Sequence, residues 1–138
     1  MTPVHIYTDG SVHPNPNGQA GWAALLIWNE VRRELSGYLP IATNNTAELE
    51  AVIHGLDVLN GEGHEVVIHT DSEYTQKAIV GMKKPKANFG LLERIRALCA
   101  RHTVTVEWER GHIGGAENER ADTLANQARI RGKSHDGN

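Results

Sequence analysis

Three stretches near the start of the chain have the residue pattern of β-strands. Apolar and polar residues alternate from 4 to 9, which predicts a strand with one buried face. The stretch from 22 to 28 is apolar on both faces and predicts a central strand, and the more polar stretch from 32 to 38 predicts its neighbour. Short turns separate the three stretches, so we expect them to form an antiparallel meander.

The rest of the chain alternates between helical and strand patterns. Apolar residues recur at helical spacing from 49 to 59, which predicts a helix that begins at a cap on Thr43 or Asn44. The later elements are predicted as a strand at 64–70, short helices at 72–79 and 89–101, a strand at 103–110 and a helix at 117–130. The order βββαβααβα predicts an α/β fold, with a five-stranded mixed sheet and helices packed on it.

The length of 138 residues suits a single domain, which we place at 1–130, with the polar residues 131–138 as a flexible tail. Cys99 is the only cysteine, which excludes an intramolecular disulfide and a Cys-rich zinc site. We find neither a signal peptide nor a membrane-spanning run, so we expect a cytoplasmic protein that does not bind membranes. We also expect a monomer.

The charge is unevenly distributed along the chain. The formal net charge is −3, which lacks the basic excess of many nucleic-acid-binding proteins. Between 77 and 101, however, Glu93 is the only acidic residue among the basic residues Lys77, Lys83, Lys84, Lys86, Arg94, Arg96 and Arg101. Such a segment suits a phosphate backbone, although a solvated helix surface with no partner has the same composition.

Four acidic residues lie in four separate stretches, each with distinctive neighbours. They are Asp9 in Tyr-Thr-Asp-Gly-Ser, Glu48 in Asn-Asn-Thr-Ala-Glu-Leu, Asp71 in His-Thr-Asp-Ser-Glu-Tyr and Asp122 in Glu-Asn-Glu-Arg-Ala-Asp. If the strands that end at Asp9 and Asp71 are neighbours, the two carboxylates meet at one edge of the sheet. Carboxylates gathered in this way need divalent cations, and oxygen ligands favour Mg²⁺ or Mn²⁺. The pattern therefore indicates phosphodiester chemistry.

Three of the four acidic residues also have an ordinary structural explanation. Asp9 followed by Gly10 is a common turn, Asp71 suits a helix N-cap, and Asp122 suits a helix surface. Glu48 is more informative, because helical geometry places it on the side of its helix that faces the sheet. A carboxylate there costs stability unless it is paired.

The four motifs, together with Gly111-His112 shortly before Asp122, follow the order found in type 1 ribonuclease H. The chain resembles this family from its first strand to about residue 130. The resemblance implies a ribonuclease H-like fold and an endonuclease that cuts the RNA strand of RNA/DNA hybrids, leaving 5′-phosphate and 3′-hydroxyl ends.

The resemblance also implies a metal site and a proton-transfer residue. Asp9, Glu48, Asp71 and Asp122 would hold two Mg²⁺ ions about 3.5 to 4 Å apart, with Mn²⁺ as a substitute and Asp9 bridging both ions. His112 matches a histidine of the family, and we expect it to shuttle a proton or assist product release rather than bind metal. An exposed loop histidine with no role is the alternative.

The residues implied in substrate binding are Gly10, Ser11, Asn15, Thr43, Asn44, Asn45, Lys83, Lys84 and Lys86. By resemblance the three asparagines reach the 2′-hydroxyls in the minor groove, Thr43 binds a phosphate of the DNA strand, and the lysines add backbone affinity. The asparagines also suit turns and caps.

The chain departs from many bacterial members of the family, and two of these departures lie in expected substrate-binding segments. Residues 81–88 stand where those members have a long basic insertion, and Ile41 replaces a basic residue of the phosphate pocket. We therefore expect weaker, more salt-dependent binding of the hybrid. A DNA nuclease or resolvase of the same superfamily and a non-catalytic nucleic-acid-binding module are the alternative functions.

Overall fold

The computed structural model describes residues 2–81, 88–109 and 115–132, and the backbone of 135–136. The strands are β1 (Val4–His13), β2 (Gly18–Trp28), β3 (Val31–Ala42), β4 (Glu65–Thr70), β5 (Thr103–Trp108) and β6 (His135–Asp136). The helices are α1 (Asn44–Asp57), α2 (Glu73–Val80), α3 (Phe89–Cys99) and α4 (Ala116–Arg131). Apart from β6, this is the predicted order of elements.

The strands form one mixed sheet in the order β5-β4-β1-β2-β3-β6. The first three strands pair antiparallel, and β4 pairs in parallel with β1 and with β5. The predicted five-stranded mixed sheet with an antiparallel meander is therefore confirmed. The sequence did not predict β6, two residues that pair antiparallel with β3. The single domain at 1–130 stays a prediction, as does the flexible tail.

Strand β1 is longer than predicted. It does not end at Asp9 but continues to His13, and its residues from His5 onward pair with β2. Pairing with β4 stops earlier, at Tyr7 and His69. The turn signal of Asp9-Gly10 is overridden because β2 supplies a continuous ladder of hydrogen bonds on one side. Asp9 consequently lies two residues beyond the last β1–β4 pair.

Two helices pack on opposite faces of β1. Ile6 faces α1, where a Cβ atom on Gly55 would lie 2.8 Å from Ile6 Cγ2, so the glycine allows a close approach of helix and strand. Ser11, which points to the other face, contacts α4. The main core lies between the sheet and α1 and includes Val52 and Ile68, both fully buried. Within the described ranges, no helix is long and apolar enough to cross a bilayer.

Candidate active site

Three of the four predicted acidic residues converge at the edge of the sheet where β4 ends. Asp9 comes from β1, Glu48 from α1, and Asp71 from the position directly after β4. Each offers a carboxylate oxygen, and the three oxygens lie within 4.8 Å of one another. Asp122 on α4 joins them, because its side chain lies close enough to Asp9 to raise the pKa of that acid. The fold thus brings together four carboxylates that are far apart in the sequence.

Burial and the neighbouring acidic side chains destabilise the ionised form of Asp9. Burial raises the pKa of Asp9 most, and the charges of Glu48 and Asp71 and the contact with Asp122 raise it further, to about 9. Without a compensating cation, this carboxyl therefore holds a proton at neutral pH. A dication reverses that balance, since it favours the ionised form of every ligand.

Glu48 is almost completely buried, yet it is well supplied with hydrogen-bond donors. The hydroxyls of Thr8 and Thr70 each donate to Glu48 Oε1 at 2.7 Å. Burial raises the pKa of Glu48 to about 7, and the bonds from both threonines and from the Gly10 backbone limit the rise. These donors hold the carboxylate in one orientation and lower the cost of its charge.

Sequence reasoning missed both threonines, although a signal for them exists. Each directly precedes a predicted metal ligand, in Thr8-Asp9 and Thr70-Asp71. Because strand residues alternate between the two faces of a sheet, a threonine next to the aspartate points to the opposite face. The buried acid of α1 lies on that face.

The structure excludes two of the alternative explanations, a turn at Asp9 and a helix cap at Asp71. Asp9 is not in a turn, since it lies within β1 and pairs with Ala23. Asp71 is not the helix cap, because Ser72 caps α2 and its Oγ accepts a hydrogen bond from the Thr75 amide at 3.1 Å. Asp71 is exposed, so one side of the cluster is open to solvent.

Gly10 allows α1 to approach β1 closely beside the acids. A Cβ atom at this position would lie 2.9 Å from both the Ala47 Cβ and the Glu48 backbone nitrogen. No larger residue fits without moving the start of α1. Glycine after Asp9 is therefore explained by this close approach rather than by a turn.

A buried histidine of β4, two residues before Asp71, contacts β1 and the residue that follows β5. The Nε2 atom of His69 lies 2.8 Å from Nδ1 of His5, and its Nδ1 atom lies 2.8 Å from Oε1 of Glu109. The ring of Tyr7 stacks on His69 with centroids 4.2 Å apart. These contacts join β1, β4 and the residue that follows β5, close to Asp71. Sequence analysis did not predict them.

The predicted substrate residues of β1 and α1 lie along the same edge. Thr43 is the N-cap of α1, and its Oγ1 accepts a hydrogen bond from the Thr46 amide at 3.1 Å. Asn44 and Asn45 lie in the first turn of α1, four and three residues before Glu48. Asn15 is exposed between β1 and β2. The capping role proposed for this segment is correct for Thr43 and does not conflict with a role in binding.

Asn88 is a neighbour of the Thr43 cap that sequence reasoning missed. Its Oδ1 accepts a hydrogen bond from the Thr46 hydroxyl at 3.3 Å, and its Nδ2 donates to the Tyr74 hydroxyl at 3.2 Å. These bonds connect the start of α3 to the start of α1. An asparagine before a helix is too common a pattern to indicate such a contact.

Four predicted site residues lie outside the described residues. They are His112 in 110–114, and Lys83, Lys84 and Lys86 in 82–87. Their assigned roles stay predictions.

The described part of the cluster suits hard divalent cations. All its donors are carboxylate oxygens, and the group of Asp9, Glu48 and Asp71 contains no thiolate or imidazole. The raised pKa values of Asp9 and Glu48 indicate acids that need an added positive charge to be ionised together at neutral pH. The donor set and the electrostatics therefore both fit a divalent metal site.

A mixed sheet of this topology, with acids within β1 and directly after β4, defines a ribonuclease H-like, metal-dependent class of protein. The RNase H family model matches residues 1–130, and the chain belongs to this family. The match confirms the family inferred from the sequence motifs and implies the use of a divalent metal.

Known relatives and structures agree with this assignment. The chain is 42% identical over 142 residues to the ribonuclease H of Granulibacter bethesdensis, covering 94% of this chain and 93% of that protein. It is similar to LC9-RNase H1, described as a type 1 RNase H with the type 2 active-site motif, with a TM-score of 0.82 and 25% identity over 97% of this chain and 75% of that one. LC11-RNase H1 in complex with an RNA/DNA hybrid has a TM-score of 0.73 and 26% identity, covering 93% of this chain and 97% of that one.

Proposed function

We propose that this protein is an endonuclease that hydrolyses the RNA strand of RNA/DNA hybrids and leaves 5′-phosphate and 3′-hydroxyl ends. The observation that carries the proposal is the convergence of Asp9, Glu48 and Asp71 within 4.8 Å in a chain of the RNase H family. The hybrid bound to LC11-RNase H1, a structural neighbour, supports the choice of substrate. Mg²⁺ is the proposed metal, and Mn²⁺ is proposed to replace it.

Asp9, Glu48, Asp71 and Asp122 are the proposed metal ligands. The bound ions would supply activation of the attacking water and support for the leaving 3′ oxygen. Thr8 and Thr70 orient Glu48 and favour its ionised form through their hydroxyls. Burial of Glu48 strengthens its electrostatic interactions, and exposed Asp71 leaves a side by which a phosphodiester reaches the cluster.

Most of the proposed substrate contacts lie near the proposed metal ligands along β1 and α1. Gly10 and Ser11 follow Asp9 directly, and Asn44 and Asn45 lie about one helical turn before Glu48. A side-chain amide both donates and accepts hydrogen bonds, so it suits recognition of a 2′-hydroxyl. We assign Asn15 to the same groove.

The remaining roles rest on the sequence motifs. Thr43 is proposed to bind a phosphate of the DNA strand, His112 to shuttle a proton or assist product release, and Lys83, Lys84 and Lys86 to add backbone affinity. We further propose a cytoplasmic monomer.

A cleavage assay tests this function. Labelled RNA/DNA hybrid, duplex RNA, duplex DNA and single strands are incubated with Mg²⁺, Mn²⁺ or EDTA. We expect cleavage of the RNA strand of the hybrid only when metal is present. Asp9→Asn should lower kcat by about a thousandfold or more, on the order of 4 kcal/mol of transition-state stabilisation.

Three outcomes would contradict the proposal. Hybrid cleavage that survives both EDTA and Asp9→Asn would refute the metal mechanism. Duplex DNA cut as efficiently as the hybrid would favour a DNA nuclease or resolvase. Hybrid binding without cleavage in either metal would indicate a non-catalytic binding module.

A further inference from the structure

The guanidinium of Arg129 is held against β1, close to the carboxylate cluster. Its Nε donates a hydrogen bond to the hydroxyl of Ser11 at 2.8 Å. That hydroxyl in turn donates to Oδ1 of Asn126 at 2.5 Å. Since Ser11 uses its only hydrogen on Asn126, the oxygen is oriented to accept from the arginine.

The positive charge of Arg129 has no acidic partner within the part of the chain that the structure describes. Among residues 2–81, 88–109 and 115–132, no carboxylate lies within 4.0 Å of its guanidinium, whereas Arg120 pairs with Glu34 at 2.7 Å. The contact with Ser11 occupies one of the five N–H donors of a guanidinium. Its other donors have no partner among the described residues, and a planar cation with available donors matches a phosphate well.

The backbone beneath Arg129 is fixed by very close packing. A Cβ atom on Gly21 of β2 would lie 2.1 Å from the Ala125 carbonyl oxygen and 2.6 Å from the Arg129 nitrogen. Helix α4 therefore rests directly on the sheet at this turn. Arg129 is held in place before any ligand arrives, which reduces the entropy lost on binding.

The cation and the acidic cluster are neighbours along β1 and α4. Asp9 and Ser11 point to the same face of β1, about 7 Å apart. On α4, Asp122 contacts Asp9, and Arg129 contacts Ser11 about two helical turns later. A nucleic-acid strand whose scissile phosphate lies at the cluster and which runs from Asp9 toward Ser11 brings another phosphate near the guanidinium.

We propose that Arg129 binds a backbone phosphate of the strand being cleaved, close to the scissile one, and that Ser11 and Asn126 position it for this contact. The proposal rests on the proposed function, because it takes the carboxylate cluster as the place of the scissile phosphate. Arg129 supplies attraction for the anionic strand beside a site whose own side chains are acidic.

Binding measurements at several salt concentrations test the proposal. The dissociation constant of a fluorescent RNA/DNA hybrid is measured in EDTA for the wild type, Arg129→Gln, Arg129→Lys and Arg131→Gln. Arg131 is the matched control, since it is an exposed arginine in the last turn of the same helix. The kcat and KM values with Mg²⁺ provide a second readout.

We expect Arg129→Gln to weaken binding about tenfold and to reduce the slope of log K against log salt by about 0.9, the effect of one lost phosphate contact. Arg129→Lys should keep the slope but weaken binding about threefold, because it keeps the charge and loses the planar donor geometry. Arg131→Gln should match the wild type. For Arg129→Gln, KM should rise while kcat stays within about twofold.

Several results would overturn the proposal. If Arg129→Gln lowers the melting temperature but leaves affinity and salt slope unchanged, Arg129 is only a structural link between α4 and β1. An equal loss in Arg131→Gln would indicate a general charge effect. If Arg129→Gln does not fold, the affinity of Arg129→Lys tests the proposal instead. Wild-type affinity in Arg129→Lys would show that the guanidinium does not contact a phosphate. A wild type that does not cleave the hybrid refutes the proposed function itself.

Discussion

At the scale of single residues, the properties of Glu48 depend on its hydrogen-bond donors. Its side chain is 2% exposed, a position where an unpaired carboxylate is strongly destabilising. Thr8 and Thr70 compensate by donating to the same oxygen. The two threonines therefore contribute to metal binding without being ligands.

Replacing Thr8 by Val should weaken metal binding. The variant loses one hydrogen bond to a buried charge, worth about 1.5 to 3 kcal/mol, so we expect metal affinity to fall by about tenfold or more. Because the pKa of Glu48 is already raised to about 7 and should rise further, protons compete more strongly with the metal. The loss should be greatest at pH 7 and below and smaller at pH 9.

Calorimetric titration with Mn²⁺ or Mg²⁺ at pH 6.5, 7.5 and 9 measures this effect. Thr8→Ser is the control, since it keeps the hydroxyl and should bind metal like the wild type. Equal affinity of the Val and Ser variants at all three pH values would show that the hydroxyl does not support Glu48.

At the scale of elements, β1 organises the site. It pairs with β4 only as far as Tyr7 and continues along β2 to His13, so its second half carries Asp9 beyond the end of β4. Helices α1 and α4 pack on its two faces and bring Glu48 and Asp122 to the same strand. Three glycines, Gly10, Gly21 and Gly55, make these close contacts between helix and strand sterically feasible.

Gly21→Ala should destabilise the protein and impair the site. Its Cβ would lie 2.1 Å from a backbone oxygen of α4, so the helix must shift, at a cost of about 3 kcal/mol or more. Because α4 carries Asp122, metal affinity should fall as well. Chemical denaturation and metal titration measure the two effects.

Gly90→Ala is the matched control for this substitution. Gly90 lies in α3, and a Cβ there would have nothing within 4 Å. Alanine in place of an unrestrained helical glycine should stabilise the fold by about 0.5 to 1 kcal/mol and leave metal binding unchanged. A Gly21→Ala variant as stable as Gly90→Ala would contradict the close packing of α4 on β2.

At the scale of the whole molecule, folding stability and metal binding are linked. The fold gathers acids that repel one another, within a chain whose net charge is −3. Between its ordinary pKa of 3.8 and the pKa of about 9 in the fold, Asp9 binds more protons in the folded than in the unfolded state. The stability of the metal-free protein should therefore decrease as pH rises through this range.

We expect both Mg²⁺ and the substitution Asp9→Asn to reduce this loss of stability at high pH, by different mechanisms. At pH 8, saturating Mg²⁺ should raise the melting temperature of the wild type, because the metal binds only the folded state. Asp9→Asn should raise the melting temperature without metal by a few degrees, about 1 kcal/mol, and should respond little to Mg²⁺. The gain from Asp9→Asn should be smaller at pH 5.

Thermal unfolding at pH 5 and pH 8, with Mg²⁺ or EDTA, checks these expectations. Glu107→Gln serves as a control, since it removes an exposed acidic charge that lies outside the carboxylate cluster. If Asp9→Asn is no more stable than the wild type at pH 8 in EDTA, the four acids do not destabilise the metal-free fold.

The features of this protein that are predictable from its sequence are those with a local signal. Strand alternation and helical spacing use only neighbouring residues, so the order of the first five strands and four helices was predictable. The four acids were identifiable because each lies in a distinctive motif. The length of β1 was not predictable, because Gly10 and Ser11 interrupt the alternation and the hydrogen bonds of β2 sustain the strand. The pairing of β6 with β3 has no local signal at all.

The sequence by itself determined the order of the elements, the family and the four candidate metal ligands, because short-range hydrophobic periodicity and characteristic residue types encode them. Only the tertiary structure decided that Asp9 lies beyond the end of β4, that Thr8 and Thr70 support a buried Glu48, and that Ser11 holds Arg129. These contacts join residues up to 118 positions apart. They depend on how closely helices approach the sheet, which is a property of the packed fold and not of any local segment.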